Sequence, residues 1–472
     1  MTSTNRASLW LVLAGVAVAV ATVWVTTREP ALGVALTVVI LSAIWAARQP
    51  RRVAVTLAFL TALFPKAGLK IGDFPLPVFL FGLVAAVILA VLTRPRKPHS
   101  PIAVVLLILW LAFVVSRAIV LAGASLSGAL AFAAWTAGPV FILFIATMST
   151  DVQQQFVRAV EIGFVCSVGY GAIQLFGGVE GTAVPGLTYA FGDDLTEKNN
   201  VIYSETGPDY SKIPSTYQNG NIYGLVAAGM FALALNRVVR QHGSRFDFVL
   251  LAASCAAIAL SGSRTAIVAA VAVAIVVFLS SGRVGRKLSI VMVVSAVAAA
   301  IVTLQPGLVD RYSIDDVLDS GGAGRTEMWR AALATTPLGD YWLGAPTDPG
   351  LEGWLGLVLR LGLLGIALLV AIVAVLVRGR TELRLPLLVL AVGAILDSSY
   401  LLFPTWFLFA AVAIKAGGVS RALSDHGARG ETRSVRQSAS TALNPVSHTP
   451  RSVSKPSPHL RSVAPELRRN HS

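Results

Sequence analysis

Stretch after stretch of about 17 to 22 apolar residues follows along this chain, and that is the length an α-helix needs to cross a hydrocarbon core about 30 Å thick. No water is present inside lipid to satisfy the backbone, so each segment must pair its own N–H and C=O groups, as a helix does. The expected fold is all-α, a polytopic transmembrane helical bundle of about 12 to 14 spans. The spans are predicted at 9–26, 31–47, 53–64, 77–92, 101–118, 126–147, 153–176, 221–236, 247–260, 265–281, 288–304, 354–377, 385–402 and 403–417, with 53–64 the weakest. Of the 472 residues 55% are apolar and 13% charged, a balance that excludes soluble globular and fibrous classes.

The net charge of +14 would fit a nucleic-acid partner if it formed one patch, so its placement decides its meaning. Basic residues fall in short gaps between spans: Arg48/Arg51/Arg52, Arg94/Arg96/Lys97, Arg237/Arg240/Arg245, Arg283/Arg286/Lys287 and Arg378/Arg380/Arg384. Counting spans from the N-terminus puts all of them on one side, which the positive-inside rule makes the cytoplasm, with both termini there. The basic excess thus reads as topology plus affinity for anionic lipid, and no nucleic-acid role is expected. The first apolar stretch lacks a small-x-small cleavage site and is read as a retained helix. The only cysteines, Cys166 and Cys255, lie inside apolar stretches and form neither a disulfide framework nor a metal site. Three regions are expected: N-terminal transmembrane helices over 1–152, a membrane core over 153–418, and a basic cytoplasmic tail over 419–472. That tail is rich in Ser, Arg and Pro and predicted to be disordered.

Two long hydrophilic connections, 177–220 and 305–353, fall outside by the same count. Both are acidic. They also carry seven of the nine tyrosines, including Tyr217, Tyr223 and Tyr341, beside Trp329, Trp342 and Trp354. Sugars stack their C–H faces on rings and need hydrogen-bond partners for their hydroxyls, a demand that aromatic, acidic and amide side chains meet. An interfacial aromatic belt is the alternative for Trp342 and Trp354.

Particular residues then carry a resemblance. Tyr170-Gly171-Ala172-Ile173-Gln174 closes one span, and Ser215-Thr216-Tyr217-Gln218-Asn219-Gly220-Asn221-Ile222-Tyr223-Gly224 opens the next. Ser261-Gly262-Ser263-Arg264-Thr265-Ala266 separates two further spans. Gly324-Arg325-Thr326-Glu327-Met328-Trp329-Arg330-Ala331-Ala332-Leu333 lies in the second long loop, and Leu351-Glu352-Gly353-Trp354-Leu355 precedes Gly362-Leu363-Leu364-Gly365. In order, spacing and side of the membrane, these segments over roughly 160–370 resemble the O-antigen ligase and O-antigen polymerase superfamily. Two departures stand out: Gly220 replaces the proline between two asparagines, and Leu351-Glu352 replaces a His-Asn pair. All six histidines fall in cytoplasmic gaps or the tail, which moves the expectation from the ligase toward the polymerase branch.

The resemblance implies glycosyl transfer between units carried on undecaprenyl pyrophosphate, at the outer face of the cytoplasmic membrane, in surface polysaccharide biosynthesis. The implied partners are a lipid-linked donor and acceptor, membrane lipid, and components of a polysaccharide export system. No cofactor is called for, and without clustered ligands outside a metal-independent mechanism is the simpler expectation. The departing pyrophosphate needs fixed cations, which Arg264 and Arg325 supply with their planar forks. Arg264 sits at an outer membrane boundary against the topology rule, and Arg325 and Trp329 share one helical face and so can flank one ligand. Glu352 is either the base for the acceptor hydroxyl or an acid satisfying a helix dipole. Asp348 is the next acid in line. Arg117 either joins the phosphate site or anchors its span, and Asn219 and Asn221 shape the first long loop. Asp397, an acid inside an apolar stretch, is expected to pair with an arginine. A transporter or flippase for a lipid-linked or anionic solute is the alternative, although no internal repeat is evident.

Overall fold

A computed structural model of the chain describes residues 45, 48–71, 74–93, 101–124, 129, 132, 136, 150–192, 201–204, 207–217, 219–240, 244–281, 284–304, 325–347, 351, 353–377 and 384–396. The expected spans 9–26 and 403–417, nearly all of 31–47 and 126–147, Asp397 and the tail lie outside these residues. All described residues belong to one compact unit, Met1–Ser420.

Twelve helices and two short hairpins are described. In chain order they are α1 (Pro50–Leu63), β1 (Gly68–Ile71), β2 (Phe74–Pro77), α2 (Val78–Thr93), α3 (Pro101–Ala124), α4 (Thr150–Gly177), β3 (Val201–Ser204), β4 (Gly207–Ser211), α5 (Gly220–Arg240), α6 (Arg245–Ser261), α7 (Arg264–Ser280), α8 (Val284–Leu304), α9 (Arg325–Thr335), α10 (Leu338–Leu343), α11 (Gly353–Val377) and α12 (Arg384–Leu396). Each predicted span in the described part is a helix within a few residues of its expected limits. Four helices, α3, α4, α5 and α11, are long and apolar enough to cross a membrane, and α2, α7, α8 and α12 contain shorter apolar segments. The chain is an all-α integral membrane protein.

Helix α5 is the hub, with 94% of its apolar window buried against 22% for α3 and 28% for α11. It touches α6, α7, α8 and α12. Its inner surface is paved with Gly224, Ala227, Ala228, Ala232 and Ala234, small residues that let neighbouring backbones approach where lipid supplies no hydrophobic drive for helix association. Gly163 of α4 works the same way, because a side chain there would strike the Phe59 carbonyl and Ala62 of α1.

A buried ion cluster joins three helices at the opposite end of α5 from its first residue. Arg237 of α5 donates to Glu161 of α4 at 2.7 Å and to Asp247 of α6 at 2.9 Å, with the two acids and the arginine all under 8% exposed. Asp247 also completes a capping box with Ser244. Arg158 lies 3.7 Å from Glu161 and stacks over the Phe246 ring. Arg237, which sequence places among the cations marking the cytoplasmic side, is thus neutralised inside the bundle. Removing one partner would strand a buried charge.

Helix α11 is broken at Gly362, whose left-handed φ of 67° departs from helical geometry. A side chain there would strike the backbone of Trp342, Leu343 and Gly344, so the short α10 turn lies directly across the break. Ala345 N–H donates to the Leu359 carbonyl at 2.6 Å, and Arg117 of α3 donates from Nη2 to the Ala345 carbonyl. The backbone groups released by the break are met by this inserted segment, the condition for irregular backbone at membrane depth. The β1–β2 hairpin holds the start of the first long loop: Gly68 N–H donates to the Gly186 carbonyl, Phe191 N–H to the Gly68 carbonyl, and Lys70 N–H to the Phe191 carbonyl.

Candidate active site

The motif segments 215–224 and 261–266, far apart in sequence, form one seam at the end of the bundle where α5 and α7 begin and α6 stops. Helix α6 ends at Gly262, which takes the left-handed conformation (φ 58°), and Ser263 then caps α7 by accepting from Ala266 N–H. A side chain at Gly224 would strike Ser261, Ser263 and Ala266, and one at Gly220 the Ser261 carbonyl and Lys212. Ile213 N–H donates to the Leu260 carbonyl, tying the loop to the hairpin end. These close approaches explain why glycine stands at both positions.

Loop residues 213–217 are keyed into α4 and α1. Ser215 adopts a left-handed φ of 53°, uncommon for a non-glycine residue, and its hydroxyl donates to the Ser167 carbonyl. Gln174 Nε2 donates to the Ser215 carbonyl at 3.0 Å, and the Tyr217 hydroxyl to the Ala62 carbonyl at 3.0 Å. Burial pushes the Tyr217 phenol above its ordinary value, so it remains a donor. Tyr217 and Tyr223 stack with ring centroids 5.5 Å apart. Two of the tyrosines that sequence assigns to sugar stacking, Tyr217 and Tyr223, are here core residues. Gln174 Oε1, Thr216 Oγ1 and the Tyr223 hydroxyl are buried with no partner among the described residues, which leaves a polar lining beneath the seam.

Asn219 and Asn221, expected to shape this loop, do so by identifiable bonds. Asn219 Oδ1 accepts from Ile222 N–H at 2.9 Å and caps α5, and Asn221 Oδ1 accepts from Lys212 Nζ at 3.0 Å. Lys212 is a cation that sequence reading counted only as loop charge. Arg264 is half-buried at the first position of α7 and, among the described residues, has neither an ion pair nor a hydrogen bond. The seam therefore gathers two helix N-termini, whose dipoles favour anions, with one cation held and another free.

The other expected site residues lie in the second long loop. Arg325 opens α9, and its side chain lies outside the described set. Trp329 packs edge-on against Trp354 at 6.0 Å and against Gly353. With Tyr341 and Ala345 it covers Leu351, Leu355 and Leu359, which fold the loop over the first half of α11. Asp348 and Glu352 lie outside the described residues. Arg117 is only 7% exposed and donates to the Ala345 carbonyl, with Asp340 nearby. Arg360, half-buried within α11, is an intramembrane cation that sequence reading passed over; its charge inside an apolar stretch was the available signal.

An integral membrane bundle with a cationic seam where its helices end is the class these features define. Within it, residues 248–339 match the family described as O-Antigen ligase, a segment that includes α7 with Arg264 and the start of α9 with Arg325. No curated protein matches the chain, and no solved structure does. Over the matched segment the chain is similar to that family.

Proposed function

We propose that the protein transfers glycan units from an undecaprenyl-pyrophosphate donor to an acceptor hydroxyl at the outer face of the cytoplasmic membrane, as a polymerase or ligase. The acceptor oxygen attacks the anomeric carbon, the bond from that carbon to the pyrophosphate oxygen breaks, and the acceptor proton passes to a base. Negative charge develops on the departing pyrophosphate, and a preorganised cation stabilises it most when water is excluded. Arg264 fits that task, because a half-buried guanidinium without a partner among the described residues stands at a helix N-terminus inside the family-matched segment. That observation carries the reading. Arg325 is assigned to the same pyrophosphate and Glu352 to the proton, with Asp348 behind it. Trp329 offers a ring edge to the sugar, and Asn219, Asn221 and Arg117 hold the walls.

Deleting the gene and analysing lipid-linked glycans tests this. Single undecaprenyl-linked units should accumulate on the outer face and return to normal when the intact chain is restored. Accumulation on the inner face would make the protein a flippase.

A further inference from the structure

Helix α10 leaves its large apolar side chains uncovered: Leu338 is 78% exposed, Trp342 59% and Leu343 58%. Its one acid, Asp340, lies beside Arg117 instead. Apolar surface grouped in this way marks a contact surface. Two spanning helices fix its depth. A side chain at Gly362 would strike the backbone of Trp342, Leu343 and Gly344, and Gly362 stands nine residues inside the apolar span that begins at Gly353. Arg117, which bonds the Ala345 carbonyl, stands six residues before the α3 span ends at Gly123. A side chain at Gly365 would meet the Phe113 ring, so α3 and α11 run side by side at this level. With a rise of 1.5 Å per residue, the end of α10 lies about 9 to 13 Å below those span ends. Half of a hydrocarbon core is about 15 Å. Val115 and Ile119 of α3 and Leu363 and Leu364 of α11 stand near the same level and are exposed as well. The backbone there is met by protein: Gly344 N–H donates to the Asp340 carbonyl, Ala345 N–H to the Leu359 carbonyl, and Arg117 to the Ala345 carbonyl. Only side chains are left to face outward, as hydrocarbon requires.

We propose that α10 is a re-entrant turn whose Leu338, Trp342 and Leu343 lie among the acyl chains of the leaflet on the side of the second long loop. Its partner is the bilayer itself, because its apolar surface continues that of two spans at the depth where only lipid surrounds them. Helix α9 ends at Thr335 and α10 begins at Leu338, so the turn moors α9 and its Trp329 at the membrane surface. The inference does not depend on which substrate the protein takes.

Spin labelling of the full chain in phosphatidylcholine vesicles tests this. Cys166 and Cys255, its only cysteines, are first replaced by alanine. Labels at Leu343→Cys and, as a second reporter, at Trp342→Cys are read for relaxation by oxygen, which concentrates in hydrocarbon, and by a water-soluble nickel chelate. Both should respond to oxygen over nickel, at a depth within about 5 Å, one helical turn, of a label at Val115→Cys in α3. A label at Glu327→Cys, exposed on α9, should respond to nickel. Nickel-dominated relaxation at Leu343 and Trp342 would place α10 in water and overturn the proposal. Protection from both reagents would overturn it equally, because the turn would then be covered by another segment or by a second copy of the chain.

Discussion

Arg264 and the two asparagines show what a single residue reveals before its surroundings are known. An arginine between two apolar stretches stands out as a functional candidate because charge there is costly. That it has no partner among the described residues was not legible, since that depends on what folds beside it. Asn219 was expected only to shape the first long loop, and the 2.9 Å bond from Ile222 N–H shows how it does so, by capping α5. Replacing Asn219 by Asp, which caps as well, should preserve thermal stability, while Asn219→Ala should cost about 1 kcal/mol in a detergent melt. Glu352 was singled out because it stands where a histidine is absent. Glu352→Gln keeps the shape and removes the base, so turnover on purified lipid-linked units should fall about 10²- to 10⁴-fold with donor binding largely preserved. Near-parental turnover would move the base to Asp348 or Asp340.

At the scale of elements, apolar length located the helices to within a few residues, because a bilayer imposes that length on any spanning segment. It gave no sign of the break in α11: the stretch 354–377 is apolar throughout apart from Arg360, and Gly362 resembles any glycine of a membrane helix. Only the α10 segment lying across it requires the left-handed turn. Gly362→Val should therefore strain the backbone and displace Trp342–Gly344, and limited proteolysis should then cut the 338–347 segment faster than in the parent. The hydrophilic loops read as open connections, yet Ser215, Tyr217 and Tyr223 are buried, because periodicity says nothing of contacts between distant segments. The ion cluster was hidden for the same reason. Glu161→Gln should destabilise the bundle by about 3–5 kcal/mol by leaving Arg237 short of one partner, and Glu161→Gln with Arg237→Met and Asp247→Asn should recover part of the loss. Equal melting of the single and triple variants would refute the pairing.

For the whole molecule, the alternation of basic gaps with acidic loops predicts orientation, and reporter fusions test it. Gly192 and Gly322 should read outside, and Arg51, Arg240 and Arg380 inside. A cytoplasmic reading at Gly322 would separate the second loop from its substrate. Truncation after Gly418 should leave catalysis intact, since every residue assigned to the site precedes it. Sequence order alone brought the motifs to one side of the membrane, but not to one seam; that took the small-residue contacts of Gly220 and Gly224 against Ser261 and Ala266. The central claim is that Arg264 grips the departing pyrophosphate with two parallel hydrogen bonds, which an ammonium cannot reproduce. The most direct measurement is complementation of the deletion strain with Arg264→Lys at matched membrane abundance, read as polymerised or ligated surface glycan. Loss of most product, with single lipid-linked units accumulating on the outer face, is the predicted result; parental amounts of surface glycan from the lysine variant would contradict it.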